Sequence, residues 1–225
     1  VNSGEIAVKK YLVSIALLAI LPLFASADAP TWSDGSAELT AALAAKGDAA
    51  RGALAFEPCA GCHRSDASGR LSGAFPRLSS QHAKVLIKQI VDIRSGRRAN
   101  PKMAPYVVDH ALTPQDIADI AIHLQQLPIA VANGKGPGSG VAKGQAIFAK
   151  DCAGCHGENG EGNADKFYPM VAAQHYRYLL RELQFIQDGE RANSNPDMVK
   201  VIKPYSSGDL EALADYMAQL PPPKK

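Results

Sequence analysis

Two stretches of this 225-residue chain read alike, Cys59-Ala60-Gly61-Cys62-His63 and Cys152-Ala153-Gly154-Cys155-His156, and between them they hold all four cysteines. Two thiols three residues apart, followed at once by an imidazole, suit a short list of chemistries. They could close a disulfide, share a zinc ion with the second pair, cycle as a redox dithiol, or add covalently to the vinyl groups of a porphyrin. In the last case the adjacent histidine lies under the ring and offers its nitrogen to the metal.

The surroundings separate these chemistries. A zinc ribbon sets its two pairs about 15–20 residues apart, but Cys152 follows Cys62 by 90 residues and each pair has its own histidine. A thioredoxin-like dithiol needs strand–helix–strand surroundings, and no convincing run of alternating apolar and polar residues is present. Disulfides within each pair would leave both histidines without a role. Each five-residue word therefore predicts one covalently attached haem c. Cys59 and Cys62 hold the first and Cys152 and Cys155 the second, with His63 and His156 as iron ligands.

A haem that only passes electrons takes a second axial ligand, commonly Met or His. The two halves of the chain can be compared to find it, because sliding the sequence by 93 residues lays one CAGCH on the other. The first half has one methionine, Met103, and the second has Met170, Met198 and Met217. Met217 falls on an apolar helix stripe opposite Leu124 and reads as core. Met170 aligns with Arg77, which cannot ligate iron, and reads as loop packing. Met198 follows an Arg-Ala-Asn and an Asn-Pro, as Met103 does, and trails its histidine by 42 residues against 40 in the first half. The predicted ligand pairs are His63 with Met103 and His156 with Met198. His82 and His175 recur at equivalent positions after a Gln, which suits a shared structural role near the haem edge or the lobe interface; they would be the first suspects for a bis-His site, but the preferred reading is polar residues at helix starts. His110 and His123 have no counterparts and read as surface or hydrogen-bonded residues.

The elements that must position these groups are helices. Pro76, Gln81-His82, Gly96, Ala99 and Asn100 recur as Pro169, Gln174-His175, Gly189, Ala192 and Asn193. After each Gln-His the apolar residues keep helical spacing, Leu86, Ile87, Ile90 and Ile93 against Leu179, Leu180, Leu183 and Ile186. A last helix in each copy opens on a capping signature, Thr113 with Asp116 and Ser206 with Asp209. The stretch PIAVANGKGPGSGVA at 128–142 reads as a flexible or extended linker. Two departures from the repeat stand out. The second CAGCH helix carries one extra residue where the first has Pro58, and His123 stands where the second half has Tyr216, which puts the packing of the first unit in question.

Lys9 and Lys10, the 14-residue apolar run Tyr11 to Phe24 and then Ala25-Ser26-Ala27 read as a secretory leader. A membrane span needs about 20 apolar residues. The expected organisation is a leader at 1–27, an N-terminal unit at 28–130 and a C-terminal unit at 131–225. Without the leader the formal charge falls from +2 to +1. Such a balance gives no reason to expect nucleic acid, and membrane contact would come through partners or an uncleaved leader.

The tandem CAGCH, the proline 13 residues after each histidine, the Gln-His helix start and the methionine some forty residues on resemble dihaem cytochrome c4. The resemblance implies an all-α pair of cytochrome c folds related by a pseudo-twofold axis, with haem propionates meeting near the interface. It implies that the carbonyls of Pro76 and Pro169 orient the two ligand histidines. It also implies a periplasmic electron carrier between respiratory redox partners, often delivering to a terminal oxidase. The cytochrome subunit of a periplasmic dehydrogenase, such as a flavin-dependent sulfide enzyme, is the alternative. A dihaem peroxidase or thiosulfate dehydrogenase usually needs one haem with an open position or an unusual ligand, which a Met in each half argues against. Arg97, Arg98 and Lys102 face Glu190, Arg191 and Asp197 in the repeat, so an acidic partner is expected to dock on the first unit.

Overall fold

A helix that ends on CAGCH has to satisfy two demands, holding its last turn against the cofactor and packing its middle on the rest of the unit. In a computed structural model of the chain, residues 35–108, 111–130 and 132–223 are described, together with Val1. Residues 2–27 of the expected leader, and His110, lie outside the described residues. Lobe 1 holds α1 (Ala37–Ala44), α2 (Ala49–His63), α3 (Ala83–Arg94), a 3₁₀ turn at Ala104–Tyr106 and α4 (Pro114–Gln126). Lobe 2 holds α5 (Val141–Ile147), a π turn at Phe148–Cys152, α6 (Ala153–His156), α7 (Tyr176–Asp188), α8 (Pro196–Ile202) and α9 (Ser207–Gln219). Among the described residues there is no strand, only an isolated bridge between Asn163 and Tyr168. No described helix is long and apolar enough to cross a membrane.

α2 starts where Asp48 accepts hydrogen bonds from the backbone N–H groups of Ala50 and Arg51, both at 2.9 Å. α4 and α9 start on the two capping boxes expected from sequence. Asp116 N–H donates to Thr113 Oγ1 at 3.2 Å, and Asp209 N–H to Ser206 Oγ at 3.2 Å. Glycine lets the first helix of each lobe lie on the last. A Cβ on Gly52 would run into the Asp119 carbonyl and come within 2.8 Å of His123 Cβ. One on Gly144 would run into the Ala212 carbonyl and come within 2.7 Å of Tyr216 Cβ. Just beyond each crossing two rings meet, Phe56 with His123 at 5.9 Å and Phe148 with Tyr216 at 5.4 Å. The expected fault in lobe 1 is therefore corrected: the His123 ring fills the place of the aromatic. Its pKa is lowered by burial, which keeps it neutral against Phe56.

The extra residue of lobe 2 lies between Phe148 and Cys152, and the π turn takes it up there. A single insertion widens one helical turn, so the glycine crossing before it and the CAGCH after it both keep their places. Leu86, Ile90, Ile117 and Leu124 build the lobe 1 core; Leu179, Leu183, Leu213 and Met217 build that of lobe 2. The linker is extended and tied down rather than loose. Asn133 Nδ2 donates to the carbonyls of Gln174 (2.7 Å) and Ala218 (2.9 Å), and Tyr176 N–H donates to the Gly134 carbonyl at 2.8 Å. It is a strap along lobe 2.

Both CAGCH helices are left through a residue with positive φ, Arg64 at φ 69° and ψ 157° and Gly157 at φ 79° and ψ 156°. That region is nearly exclusive to glycine, and another residue held there costs about 1–3 kcal/mol. Arg64→Gly, which copies lobe 2, is expected to raise stability by about 1 kcal/mol in denaturant melts followed by helical circular dichroism. Gly52→Ala and Gly144→Ala are expected to do the reverse. Alanine gains about 1 kcal/mol of helix propensity, but overpacking costs about 1–3 kcal/mol and here the obstacle is backbone. A stabilised Gly52→Ala would show that α2 and α4 do not cross at this distance.

Candidate haem sites

The last turn of α2 points His63 into the lobe, where it is 8% exposed. Its Nδ1 lies 3.1 Å from the Pro76 carbonyl. A carbonyl can only accept, so the proton sits on Nδ1 and the Nε2 lone pair is left for a metal. Burial lowers the His63 pKa, partly opposed by the Pro76 bond, so the imidazole is neutral at physiological pH. His63, Cys59, Cys62 and Met103 line one cavity of about 450 Å³ whose walls include Leu86 and Ile90. The Cys59 thiol is pushed up by burial and then by neighbouring Cys62, which keeps it protonated.

Lobe 2 repeats the contact between histidine and proline. His156 Nδ1 lies 3.0 Å from the Pro169 carbonyl, and burial again lowers its pKa. Cys152 is buried, and its thiol is pushed up to about 12 by burial first, then by Asp151 and Cys155. Cys155 is exposed. Met198 lies on α8, capped by Asn195, and packs on the same apolar core as Cys152. Cys59 and Cys152 belong to two separate cores, so the cysteine pairs are not gathered into one zinc ribbon. Two thiols, a neutral imidazole of fixed tautomer and a thioether beside an apolar cavity are the donors that a haem c requires, and the residues present fit it.

The lobes meet through residues whose role periodicity did not reveal. Gln174 Oε1 accepts from Arg77 N–H at 2.9 Å and its Nε2 donates to the Arg77 carbonyl at 3.0 Å. Gln81 does the same to Met170, with both bonds at 2.9 Å. His82 and His175 are not simply polar residues at helix starts. His82 Nε2 donates to the Glu161 carbonyl at 2.7 Å, and the fully buried His175 Nε2 to the Ser68 carbonyl at 2.8 Å. His175 Nδ1 accepts from Gly134 N–H at 2.9 Å, which fixes its neutral tautomer. Each bond crosses from one lobe or the strap to the other body, and the recurrence of Gln-His in the repeat was the signal for it.

The charged loops are also drawn inward. Arg98 donates to Glu182 at 2.9 Å and to Tyr178 Oη at 3.1 Å, both in lobe 2, and to Gln89 at 2.8 Å. Its repeat equivalent Arg191 donates to Glu182 at 3.1 Å and to Gln89 at 3.3 Å. Burial alone would raise the Glu182 pKa, but Arg98 and then Arg191 outweigh it and hold the carboxyl ionised. Arg97 pairs with Asp92, which also receives the buried Lys88 and, from lobe 2, Asn193 Nδ2 at 2.6 Å. The expected three-cation docking face on lobe 1 is therefore corrected. Lys102 is exposed, whereas Arg98 belongs to the interface and Arg97 closes on a buried acid.

With this geometry established, known proteins give a consistent comparison. The cytochrome c family model matches twice, over residues 49–128 and 141–221. Cytochrome c4 of Pseudomonas aeruginosa is 31% identical over 192 residues, covering 81% of this chain and 93% of that protein. The thiosulfate dehydrogenase electron acceptor of Stutzerimonas stutzeri is 31% identical, covering 72% of this chain and 78% of that one. The crystal structure of reduced recombinant cytochrome c4 from Pseudomonas stutzeri superposes with a TM-score of 0.71 at 28% identity, over 78% of this chain and all of that one. The chain therefore belongs to the dihaem cytochrome c4 family, electron-transfer proteins with two tandem all-helical cytochrome c domains and a covalent haem c in each.

Proposed function

We propose that this chain is a periplasmic electron carrier that takes electrons from a respiratory donor and delivers them to a terminal oxidase. In this reading Cys59, Cys62, Cys152 and Cys155 form the thioethers, His63 with Met103 serve the first iron, and His156 with Met198 the second. The observation that carries it is the matched donor set of lobe 1, where His63, Met103 and both cysteines line one apolar cavity. Haem supplies a one-electron ferric–ferrous couple when bound. The protein's part is orientation, exclusion of water and access. Pro76 and Pro169 hold the two imidazoles through their Nδ1–H groups, and that contact raises the basicity of Nε2. Leu86, Ile90 and Leu124 line the cavity beside His63 and give it an apolar wall. Met103 and Met198 would hold the irons as second ligands, which would leave neither lobe a coordination position for a substrate, so the reading is a carrier and not an enzyme.

A second reading makes the chain the electron acceptor of a periplasmic dehydrogenase, a flavin-dependent sulfide enzyme among them. The Stutzerimonas stutzeri relative, a thiosulfate dehydrogenase electron acceptor, supports an acceptor role. The two readings share the same haem sites and differ in the donor. Purification from native membranes separates them: an oxidase co-purifying supports the first, and a dehydrogenase the second.

The ligand assignment predicts the near-infrared band of ferric, Met-ligated haem with the intensity of two sites. Met103→Ala and Met198→Ala are each expected to remove half of it, while Met170→Leu and Met217→Leu leave it whole. A high-spin ferric spectrum of the unaltered protein would overturn the assignment. The carrier reading further predicts fast exchange with small redox mediators and negligible peroxidase or thiosulfate-oxidising turnover by the isolated protein. Turnover at a rate typical of enzymes, about 10 s⁻¹, would instead show a catalytic centre.

A further inference from the structure

The glutamine contacts between the lobes end on the two peptide groups that also touch the ligand histidines. The Pro76 carbonyl accepts from His63 Nδ1–H, and the N–H of that same peptide group, on Arg77, donates to Gln174 Oε1 at 2.9 Å. In the other lobe the Pro169 carbonyl accepts from His156, and the N–H of that peptide group, on Met170, donates to Gln81 Oε1 at 2.9 Å. None of the described peptide bonds is cis, so C=O and N–H point to opposite sides of each plane. One peptide unit thus stands between the histidine of its own lobe and the glutamine of the other.

We propose that Gln174 and Gln81 are positioning residues acting crosswise, Gln174 on His63 of lobe 1 and Gln81 on His156 of lobe 2. The proposal rests on the reading of His63 and His156 as iron ligands. A peptide whose N–H is engaged is polarised and becomes a better acceptor at its carbonyl, by roughly 10–30% per bond in a chain of hydrogen bonds. A stronger carbonyl acceptor draws the imidazole Nδ1 proton, makes Nε2 more basic and favours the ferric state. Each glutamine also donates Nε2 to the next carbonyl, Gln174 to Arg77 at 3.0 Å and Gln81 to Met170 at 2.9 Å, which locks the amide in the orientation that accepts. The acceptor oxygen is steadied further by its own chain, since His175 N–H donates to Gln174 Oε1 at 3.0 Å and His82 N–H to Gln81 Oε1 at 3.1 Å. Docking of the lobes is thereby felt at both irons, through one amide on each side.

The test is spectroelectrochemical titration of the holoprotein, with the two centres told apart in a Met103→His background. His in place of Met lowers the potential of the lobe 1 centre and so labels it. Gln81→Met is expected to raise the lobe 2 potential by about a threefold change in the ferric-to-ferrous ratio, about 28 mV at 59 mV per decade for one electron, and to leave lobe 1 in place. Gln174→Met is expected to raise the lobe 1 potential alone. Gln81→Glu keeps an acceptor, now charged, for Met170 N–H and is expected to lower the lobe 2 potential. That reversal of sign separates the effect from a loosened interface, which would move both variants the same way. Shifts confined to the mutated lobe, equal shifts in both centres, or no shift would overturn the proposal. If Met103→His lowers neither potential, the ligand reading itself falls and takes this proposal with it.

Discussion

Backbone contact between the first and last helices of each lobe is the constraint on which the rest depends. Where Gly52 lies on Asp119 and Gly144 on Ala212, no side chain separates the helices. Only near-backbone approach of this kind holds a helix rigid enough to present cysteines and a histidine at its far end. From the crossing outward the order is continuous: glycine, then a ring pair, then CAGCH, then a turn with positive φ that sends the loop under the histidine to its proline. The π turn shows how firmly this order is held. Lobe 2 gained a residue between ring and cysteine, and the helix deformed locally while both fixed points stayed.

Much of this was legible because it is local. The helices α3, α4, α7 and α9 followed from the spacing of Leu86, Ile117, Leu179 and Leu213, and their starts from Thr113 and Ser206, whose partners are three residues away. The repeat made the methionines comparable, which separated the core residue Met217 from Met198. What escaped reading is the partner at long range: an interface role for His82 and His175 could be named from the repeat, but not Glu161 and Ser68, which lie 79 and 107 residues away. A glutamine that clamps a distant peptide looks, in one dimension, like any polar residue before a helix. Arg98 shows the same limit: a guanidinium next to Arg97 reads as surface charge until the second lobe supplies Glu182.

The two lobes are alike in backbone and unlike in charge. Around the pseudo-twofold axis, Arg98 and Arg191 each contact both Gln89 and Glu182, which occupy equivalent places in the repeat. One of those places carries an ionised carboxylate and the other a neutral amide. The same holds nearby, where Asp92 and Arg97 on lobe 1 have Phe185 and Glu190 as counterparts. Two arginines flanking one acid leave positive charge at a site that line-of-sight symmetry would have made neutral or even. The surroundings of the two CAGCH words are therefore inequivalent although the words themselves are identical.

The strap formed by residues 133–136 alters what the interface has to achieve. The described contact between the lobes includes many directional hydrogen bonds and the ion pairs Lys84–Asp165 and Arg98–Glu182, and polar contacts of this kind hold free domains together only weakly. A short covalent connection holds the second surface at an effective concentration in the millimolar range, and anchoring Asn133 and Gly134 to lobe 2 shortens the free part further. Weak, directional contacts then stay made almost all the time. The surface between the lobes is thus released from the need to be adhesive, and its residues can be selected for polarity and aim instead.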